Sequence, residues 1–200
     1  MLPAVTNPFR ASKIDSLPFI FTAGDWNSFR RMLSQVNNRG AIVGPHGSGK
    51  STLIEQLQAQ LKSQGTRCVF FRRTSENKNL SLRELHQIWI SSRDAAWILL
   101  DGAEQLGWLR FFVFKLVARR ASGVVITAHA DGLLPTVLRT VPSIETFKKL
   151  LKILGPEVST LSSEEVEQLF VSHGGNIREI FGECYRSWGV RDTTSQTAKN

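Results

Sequence analysis

The sequence predicts an α/β fold in which a mostly parallel sheet lies between two layers of helices. Short apolar runs alternate with segments whose apolar residues recur every three or four positions, and this alternation is typical of βαβ units. Apolar runs without polar interruption suit parallel strands that are buried on both faces. The predicted strands are residues 40–43, 67–71, 95–101, 123–127 and 136–141.

A glycine-rich stretch joins the first predicted strand to the helix after it. The residues Gly44-Pro45-His46-Gly47-Ser48-Gly49-Lys50-Ser51-Thr52 fit the phosphate-binding P-loop pattern G-x-x-x-x-G-K-[ST] without a mismatch. In this motif the backbone N–H groups face an anion at a helix N-terminus. We expect Lys50 to reach the β- and γ-phosphates of a nucleotide and the Ser51 hydroxyl to hold Mg²⁺. The sequence therefore predicts a P-loop NTPase three-layer sandwich.

The third predicted strand ends in an acidic residue, Asp101. A carboxylate at the C-terminal edge of a strand next to the P-loop strand can hold Mg²⁺ through water. The alternative is a surface aspartate that merely ends a strand. The intact P-loop upstream favours the metal-binding interpretation.

The chain is divided by these patterns into four segments. Residues 1–24, with three prolines, are predicted to form an extended N-terminal arm, and residues 25–142 a P-loop nucleotide-binding α/β domain. Within that domain, a helix is expected from Glu104 to Arg120. Residues 143–190 have helical periodicity and are predicted to form a small helical lid, and residues 191–200 a polar, frayed tail. Capping-box patterns at Ser81–Glu84 and Ser162–Glu165 predict two of the helix starts.

Composition limits the class of protein. Two hundred residues, of which 42% are hydrophobic, fit one domain of usual size or one domain with a small appendage. The net charge of +8 favours polyanionic partners such as nucleic acid, but the basic residues are scattered, so a solvated basic surface is the alternative. No recognition motif for nucleic acid is present.

Cysteine usage and hydropathy bear on location. Cys68 and Cys184 form neither a disulfide framework nor a metal site, and reduced thiols favour a cytoplasmic protein. No signal peptide or transmembrane segment is expected.

The order of the motifs resembles the AAA+ ATPase family, above all its compact bacterial members from secretion and transposition systems. The resemblance covers about residues 7–188 and rests on the P-loop, Ile98-Leu99-Leu100-Asp101, Val125-Ile126-Thr127, Gly174-Gly175-Asn176-Ile177-Arg178 and the opening Asn7-Pro8-Phe9. It implies ATP as the nucleotide, Mg²⁺ as the cofactor, and a protein partner or self-assembly.

The resemblance also implies two residue roles. Thr127 matches the polar sensor residue of the fourth strand, which orients the attacking water; a buried threonine chosen for β-propensity is the alternative. Arg178 matches the lid arginine that contacts the γ-phosphate. An arginine near a helix N-terminus is unfavourable for the helix macrodipole, which favours this role over a merely solvated side chain.

One position departs from the family pattern. The family usually places a glutamate, the general base, directly after the strand-end aspartate, where this chain has Gly102. The nearest acid is Glu104, which either takes over the role of base or leaves a slow, ATP-dependent switch. His129, just past Thr127, is either a site residue or only a polar loop residue, and we favour the latter.

These patterns predict a Mg²⁺–ATP-binding ATPase or an ATP-dependent switch with slow hydrolysis. A small-molecule P-loop kinase and a non-hydrolysing nucleotide-binding scaffold remain as alternatives. Kinases of this type usually have an arginine-rich lid flanked by the sheet, whereas the predicted lid here is a terminal helical bundle.

Overall fold

The computed structural model describes residues 7–156, 158 and 161–197. The chain divides into two compact units. The α/β unit comprises Ala23–Gly44 and Gly49–Thr140, and the helical unit comprises the described residues of Met1–Thr22, Pro45–Ser48 and Val141–Asn200.

The elements follow one another in an alternating order in the α/β unit and as helices alone in the helical unit. The helices are α1 (Ala11–Asp15), α2 (Trp26–Gln35), α3 (Lys50–Ser63), α4 (Leu82–Arg93), α5 (Gly107–Val117), α6 (Ile144–Leu154), α7 (Ser163–Ser172) and α8 (Ile177–Thr197). The strands are β1 (Arg39–Val43), β2 (Cys68–Arg72), β3 (Trp97–Asp101), β4 (Gly123–Ala128) and β5 (Thr136–Arg139). A 3₁₀ turn spans Ala103–Leu106.

The α/β unit is built on a five-stranded sheet with the strand order β2-β3-β4-β1-β5. Every strand pair is parallel. The strands alternate with helices, and each helix brings the chain back to the end of the sheet where the next strand starts. This is the doubly wound arrangement. The predicted α/β fold class is therefore confirmed, and so are the five strands.

Helices cover both faces of the sheet. Ile88 of α4 and Phe111 and Phe114 of α5 pack in one apolar cluster with residues of β1, β2, β3 and β4. Strand residues of the opposite parity, such as Leu99 and Val125, are fully buried on the other face, where α2 and α3 contact the sheet. The centre of the sheet is thus excluded from water, and only the strand ends can carry polar chemistry.

The helix starts are set by local hydrogen bonds that the sequence pattern predicts. The Ser81 hydroxyl accepts from the Glu84 backbone N–H, and the Glu84 carboxylate accepts from the Ser81 N–H. The same reciprocal pair is present at Ser162 and Glu165 before α7. Both predicted capping boxes are therefore confirmed.

The helical unit has a core of its own. Phe147 of α6, Val166 of α7 and Ile180 of α8 are buried in one cluster that also takes in Phe9 and Leu17 from the N-terminal segment. This segment was predicted to be an extended arm, and the prediction is wrong for residues 11–15, which form α1. Residues 1–6 of the predicted arm lie outside the described residues.

Two helix bounds also differ from expectation. The single helix predicted from Glu104 to Arg120 is a 3₁₀ turn followed by α5, because Gly107 has a φ of +67° that interrupts the helix. Helix α8 runs to Thr197, past residue 190 where we expected a frayed tail, since the sequence there contains no proline to stop it. Residues 198–200 lie outside the described residues. Within the described ranges, no helix has the length and apolar character needed to cross a membrane.

We expect Gly123→Ala to destabilise the sheet. Gly123 lies beside Trp97 in the β3–β4 register, and a Cβ at Gly123 would lie 2.5 Å from the Trp97 ring. Overpacking of this kind should lower the free energy of unfolding by about 1–3 kcal/mol.

Urea unfolding followed by circular dichroism measures this change. Gly182→Ala on α8 is the matched control, because a Cβ there would lie at an ordinary contact distance, 3.6 Å, from Nη1 of Arg186. Alanine in a helix should raise stability there by about 0.5–1 kcal/mol. Equal effects of the two substitutions would contradict the packing argument.

Candidate nucleotide-binding site

The predicted P-loop lies between β1 and α3. Gly47 and Gly49 have φ values of +67° and +88°, which side chains rarely adopt, and α3 begins directly afterwards at Lys50. The Ser48 hydroxyl donates to the Pro45 carbonyl oxygen at 2.8 Å and braces the turn. The first helical N–H groups have no partner within the helix, so this end of α3 is suited to an anion.

Lys50 is the cation of this loop. Its side chain is only 8% exposed, and Nζ donates to the Gly44 carbonyl oxygen at 2.6 Å. Burial lowers the pKa of Lys50 from its ordinary value, and the nearby Glu104 and Asp101 carboxylates counteract part of that effect. A poorly hydrated ammonium beside the loop would interact strongly with a phosphate group.

The Asp101 carboxylate contacts side chains from three other elements. Its Oδ1 lies 3.2 Å from the Ser51 hydroxyl of α3 and accepts from the Thr127 hydroxyl of β4 at 2.6 Å. Its Oδ2 accepts from Nε of Arg72 at 2.9 Å, and Arg72 also forms an ion pair with Glu55. The predicted metal-binding pair, Ser51 and Asp101, is thus brought together at the carboxyl end of the sheet.

Thr127 is fully buried and uses its hydroxyl twice. It donates to Asp101 and accepts from the Gly102 backbone N–H at 2.8 Å. These contacts fix the end of β3 against β4. The sensor role that the resemblance implies for Thr127 stays a prediction.

Gly102 occupies a position that admits no side chain. Its φ is +79°, and a Cβ there would lie 2.4 Å from the Arg73 carbonyl oxygen. The Arg73 backbone cannot easily yield, because its N–H donates to the Asp101 carbonyl at 2.8 Å and its buried side chain contacts Glu84 and the Asn79 carbonyl. The glutamate that the family places here is therefore excluded sterically.

Glu104 lies in the 3₁₀ turn directly beyond this position. Its Oε1 is 3.1 Å from Nε2 of His129, while Oε2 is buried and has no hydrogen-bond partner among the described residues. Glu104 also raises the pKa of Lys50, against the larger effect of burial. A buried carboxylate oxygen without a partner is costly unless it serves a bound molecule.

The site residues fall into two groups. Lys50, Ser51, Asp101, Glu104 and Thr127 come together in the α/β unit. Arg178 is exposed at the second position of α8, in the helical unit.

Sequence reasoning missed one side chain that contacts Asp101, Arg72. Arg72 is paired with Asp101 in the β2–β3 register, which adjacent strand ends could have suggested. His129 lies in the loop after β4, as expected, and contacts Glu104 there, so whether it acts in the site stays a prediction.

The oxygen donors present fit Mg²⁺. Among the described residues no group of three or more His, Cys, Asp or Glu side chains could hold a metal ion by itself. Mg²⁺ typically keeps several waters and takes one or two protein oxygens together with substrate phosphates. One carboxylate and one hydroxyl at the end of a P-loop suit that mode of binding.

We expect Thr127→Val to destabilise the α/β unit by about 1–3 kcal/mol. Valine keeps the shape of threonine but leaves the partly buried Gly102 N–H unpaired and removes a bond to Asp101. Urea unfolding tests this, with Thr127→Ser as the control that keeps the hydroxyl. A valine variant as stable as the wild type, or a serine variant less stable than the valine variant, would contradict this account.

Lys50→Met should stabilise the nucleotide-free chain, on the order of 1 kcal/mol at neutral pH. Because the pKa of Lys50 is lowered by burial, the folded chain binds this proton less tightly than the unfolded chain. The penalty is complete below the folded-state pKa and disappears as the pH rises past the unfolded value of 10.5. The advantage of methionine should therefore shrink towards that pH.

Urea unfolding at about pH 7 and about pH 10 measures this difference. Lys62→Met, on the exposed side of the same helix, is the control. A gain that is as large for Lys62→Met, or that does not change with pH, would show that burial of the Lys50 charge is not its cause.

Comparisons with known proteins found similarity in structure alone. No protein-family model matches the sequence, and no curated protein does either. A replication initiator DnaA bound to AMPPCP and single-stranded DNA is similar with a TM-score of 0.56 and 15% identity over 88% of this chain. A DNA replication initiation factor has a TM-score of 0.54 and 16% identity over 84% of this chain. AMPPCP-bound DnaA from Aquifex aeolicus has a TM-score of 0.52 and 16% identity over 84% of this chain.

This chain spans about two thirds of the lengths of those structures, at 67%, 62% and 63%. They are AAA+ P-loop ATPases. At identities this low, the similarity shows the fold and not the activity. The chain thus has the fold of the AAA+ P-loop ATPases, and the resemblance inferred from its motifs is confirmed at the level of the fold.

Proposed function

We propose that this chain binds Mg²⁺–ATP at the P-loop and hydrolyses it, acting as an ATPase or as a slow ATP-dependent switch. The observation that carries the proposal is the meeting of Ser51 with Asp101, at 3.2 Å, beside the buried ammonium of Lys50. Two of the structures with a similar fold are described as bound to the ATP analogue AMPPCP.

Each residue of the loop has a defined task in this proposal. The N–H groups at the start of α3 bind phosphate oxygens, and Lys50 neutralises the β- and γ-phosphates. Ser51 and Asp101 hold Mg²⁺, which offsets phosphate charge when it is bound. Arg72 and Thr127 keep the Asp101 carboxylate in position.

Glu104 is the proposed general base. A base needs an oxygen that can accept a proton from water, and Oε2 of Glu104 is buried without another partner among the described residues. His129, at 3.1 Å from Oε1, orients the carboxylate so that Oε2 remains available. An inert scaffold has no use for such an oxygen, so this observation favours hydrolysis over a scaffold.

The roles proposed for Thr127 and Arg178 come from the resemblance to the AAA+ ATPases. Thr127 has the role of the strand-end sensor, which it can exert through its hydrogen bond to Asp101. Arg178, exposed near the start of α8, is proposed to contact the γ-phosphate and to report the nucleotide state.

Glu104→Gln should retain ATP binding and lose about 10²- to 10⁴-fold in turnover, because the amide keeps the size of the side chain but cannot accept the proton. Steady-state phosphate release and titration with a fluorescent ATP analogue measure the two quantities separately. Lys50→Met should abolish binding itself. Glu76→Gln, in the exposed loop after β2, is the matched control and should change neither.

A second variant tests why the base is not at position 102. Gly102→Glu combined with Glu104→Gln should fail to recover turnover, since the Arg73 carbonyl occupies the space that a side chain would need. Recovery by that double variant would refute the steric argument. Wild-type turnover no faster than that of Lys50→Met would instead favour the non-hydrolysing scaffold.

The partner that ATP turnover serves can be sought with the same assay. The net charge of +8 suits a polyanion, and one protein of similar fold is described as bound to single-stranded DNA. Turnover measured with and without single-stranded DNA, alongside the oligomeric state in Mg²⁺–ATP, distinguishes a nucleic-acid partner from self-assembly.

A further inference from the structure

The outer face of α5 exposes large apolar side chains. Trp108 is 82% exposed, Leu109 58%, Phe112 61% and Leu116 54%. We call these four residues the α5 stripe. They fall at helical spacing along the side of α5 that faces away from the sheet, whereas Phe111 and Phe114 pack inward. An exposed, contiguous set of this size marks an interaction surface.

Basic side chains border the α5 stripe. Successive residues of an α-helix are rotated by about 100°, which places Arg110 and Lys115 on opposite flanks of the line through Leu109 and Leu116. Arg119 and Arg120 follow in the exposed turn after the helix. From Gln105 to Ala130 the sequence contains no Asp or Glu, so α5 and the turn after it carry only positive charges.

The neighbouring helix in the same layer has a related surface. Trp89 of α4 is half-exposed, and the Arg93 guanidinium lies 4.9 Å from the centre of its ring. The Ser92 hydroxyl accepts from the Arg120 backbone N–H at 3.0 Å, which ties the C-terminal end of α4 to the turn after α5. Aromatic residues accompanied by arginine thus occur on both helices of this layer.

We propose that the α5 stripe docks the protein on an anionic lipid surface. The outermost line of the helix is apolar and its flanks are basic, so the stripe would enter the acyl boundary while Arg110 and Lys115 stay at the level of the headgroups. Anionic headgroups supply the complementary charge for the surrounding arginines and lysine. This inference goes beyond the proposed ATPase activity and does not depend on it.

The charge pattern disfavours a second copy of this chain as the occupant. A two-fold interface would set the stripe of one copy against the same stripe of the other. That arrangement brings Arg110 and Lys115 of one copy close to the like charges of its partner, with no acidic side chain on this stretch to compensate. The cores of protein interfaces are in general depleted of charged residues, and of lysine in particular.

Flotation with lipid vesicles tests the proposal on the full chain. We expect binding to vesicles of phosphatidylcholine mixed with phosphatidylglycerol, and little binding to phosphatidylcholine alone. The double variant Leu109→Ser/Phe112→Ser should weaken binding by more than about tenfold, because it removes the inserted apolar groups. Arg119→Glu/Arg120→Glu should weaken it by about tenfold or more through charge alone.

Two controls distinguish insertion of the α5 stripe from non-specific hydrophobic binding. Met32→Ser removes a half-exposed apolar residue from α2, on the opposite layer, and should leave vesicle binding unchanged. Circular dichroism of each variant establishes that it is folded. In addition, the fluorescence of Trp108 should shift to the blue on binding, which is read as the difference between the wild type and Trp108→Phe.

Three results would overturn the proposal. The first is equal binding to neutral and anionic vesicles, and the second is binding that Leu109→Ser/Phe112→Ser leaves intact, which would indicate basic charge alone. The third is a concentration-dependent dimer, seen by sedimentation without lipid and lost in the same variant, which would assign the stripe to a second copy.

Discussion

The carboxylate of Asp101 is the interaction on which the site depends. It accepts from Thr127 on β4 and from Arg72 on β2, and it lies 3.2 Å from the Ser51 hydroxyl on α3. A single side chain therefore links two strands and the helix that follows the P-loop to the end of β3. Because the centre of the sheet is fully apolar, these polar groups can be satisfied only at the carboxyl end of the strands, where the P-loop also lies.

The same strand end explains the departure of this chain from the family pattern. Gly102 is held in a left-handed conformation against the Arg73 carbonyl, so that the position after the aspartate is closed to any side chain. The chain instead continues into a 3₁₀ turn whose Ala103 and Leu106 are buried. That turn presents Glu104, with one carboxylate oxygen oriented by His129 and the other without a partner among the described residues.

Local patterns were sufficient to predict the strands, the P-loop, the capping boxes and the acid at the end of β3. Each depends on periodicity or on residues close in sequence, such as Ser81 with Glu84. The contacts of Gly102 with Arg73 and of Arg72 with Asp101 depend on the register of β2 against β3, which no periodicity encodes. The pairing of Glu104 with His129 likewise joins two segments that only the packing of β3 beside β4 brings together. The contact of Phe9 with the helical core is also long-range, so the pattern of the N-terminal segment, which is typical of extended chain, did not predict it.

The apolar character of α5 cannot be attributed to folding alone. Phe111, Phe114 and Ala118 already anchor its inner side in the core of the α/β unit, and Leu106 anchors the turn before it. Polar residues at the outer positions would satisfy the same fold and would avoid the tendency of exposed apolar surface to aggregate. Since Ala103 and Leu106 hold the turn that carries Glu104, and Phe111 and Phe114 hold α5, the outer side of α5 is not needed for either contact. The inner side of α5 thus packs in the core of the α/β unit. The proposed docking on lipid accounts for the apolar residues of its outer side, which folding does not require.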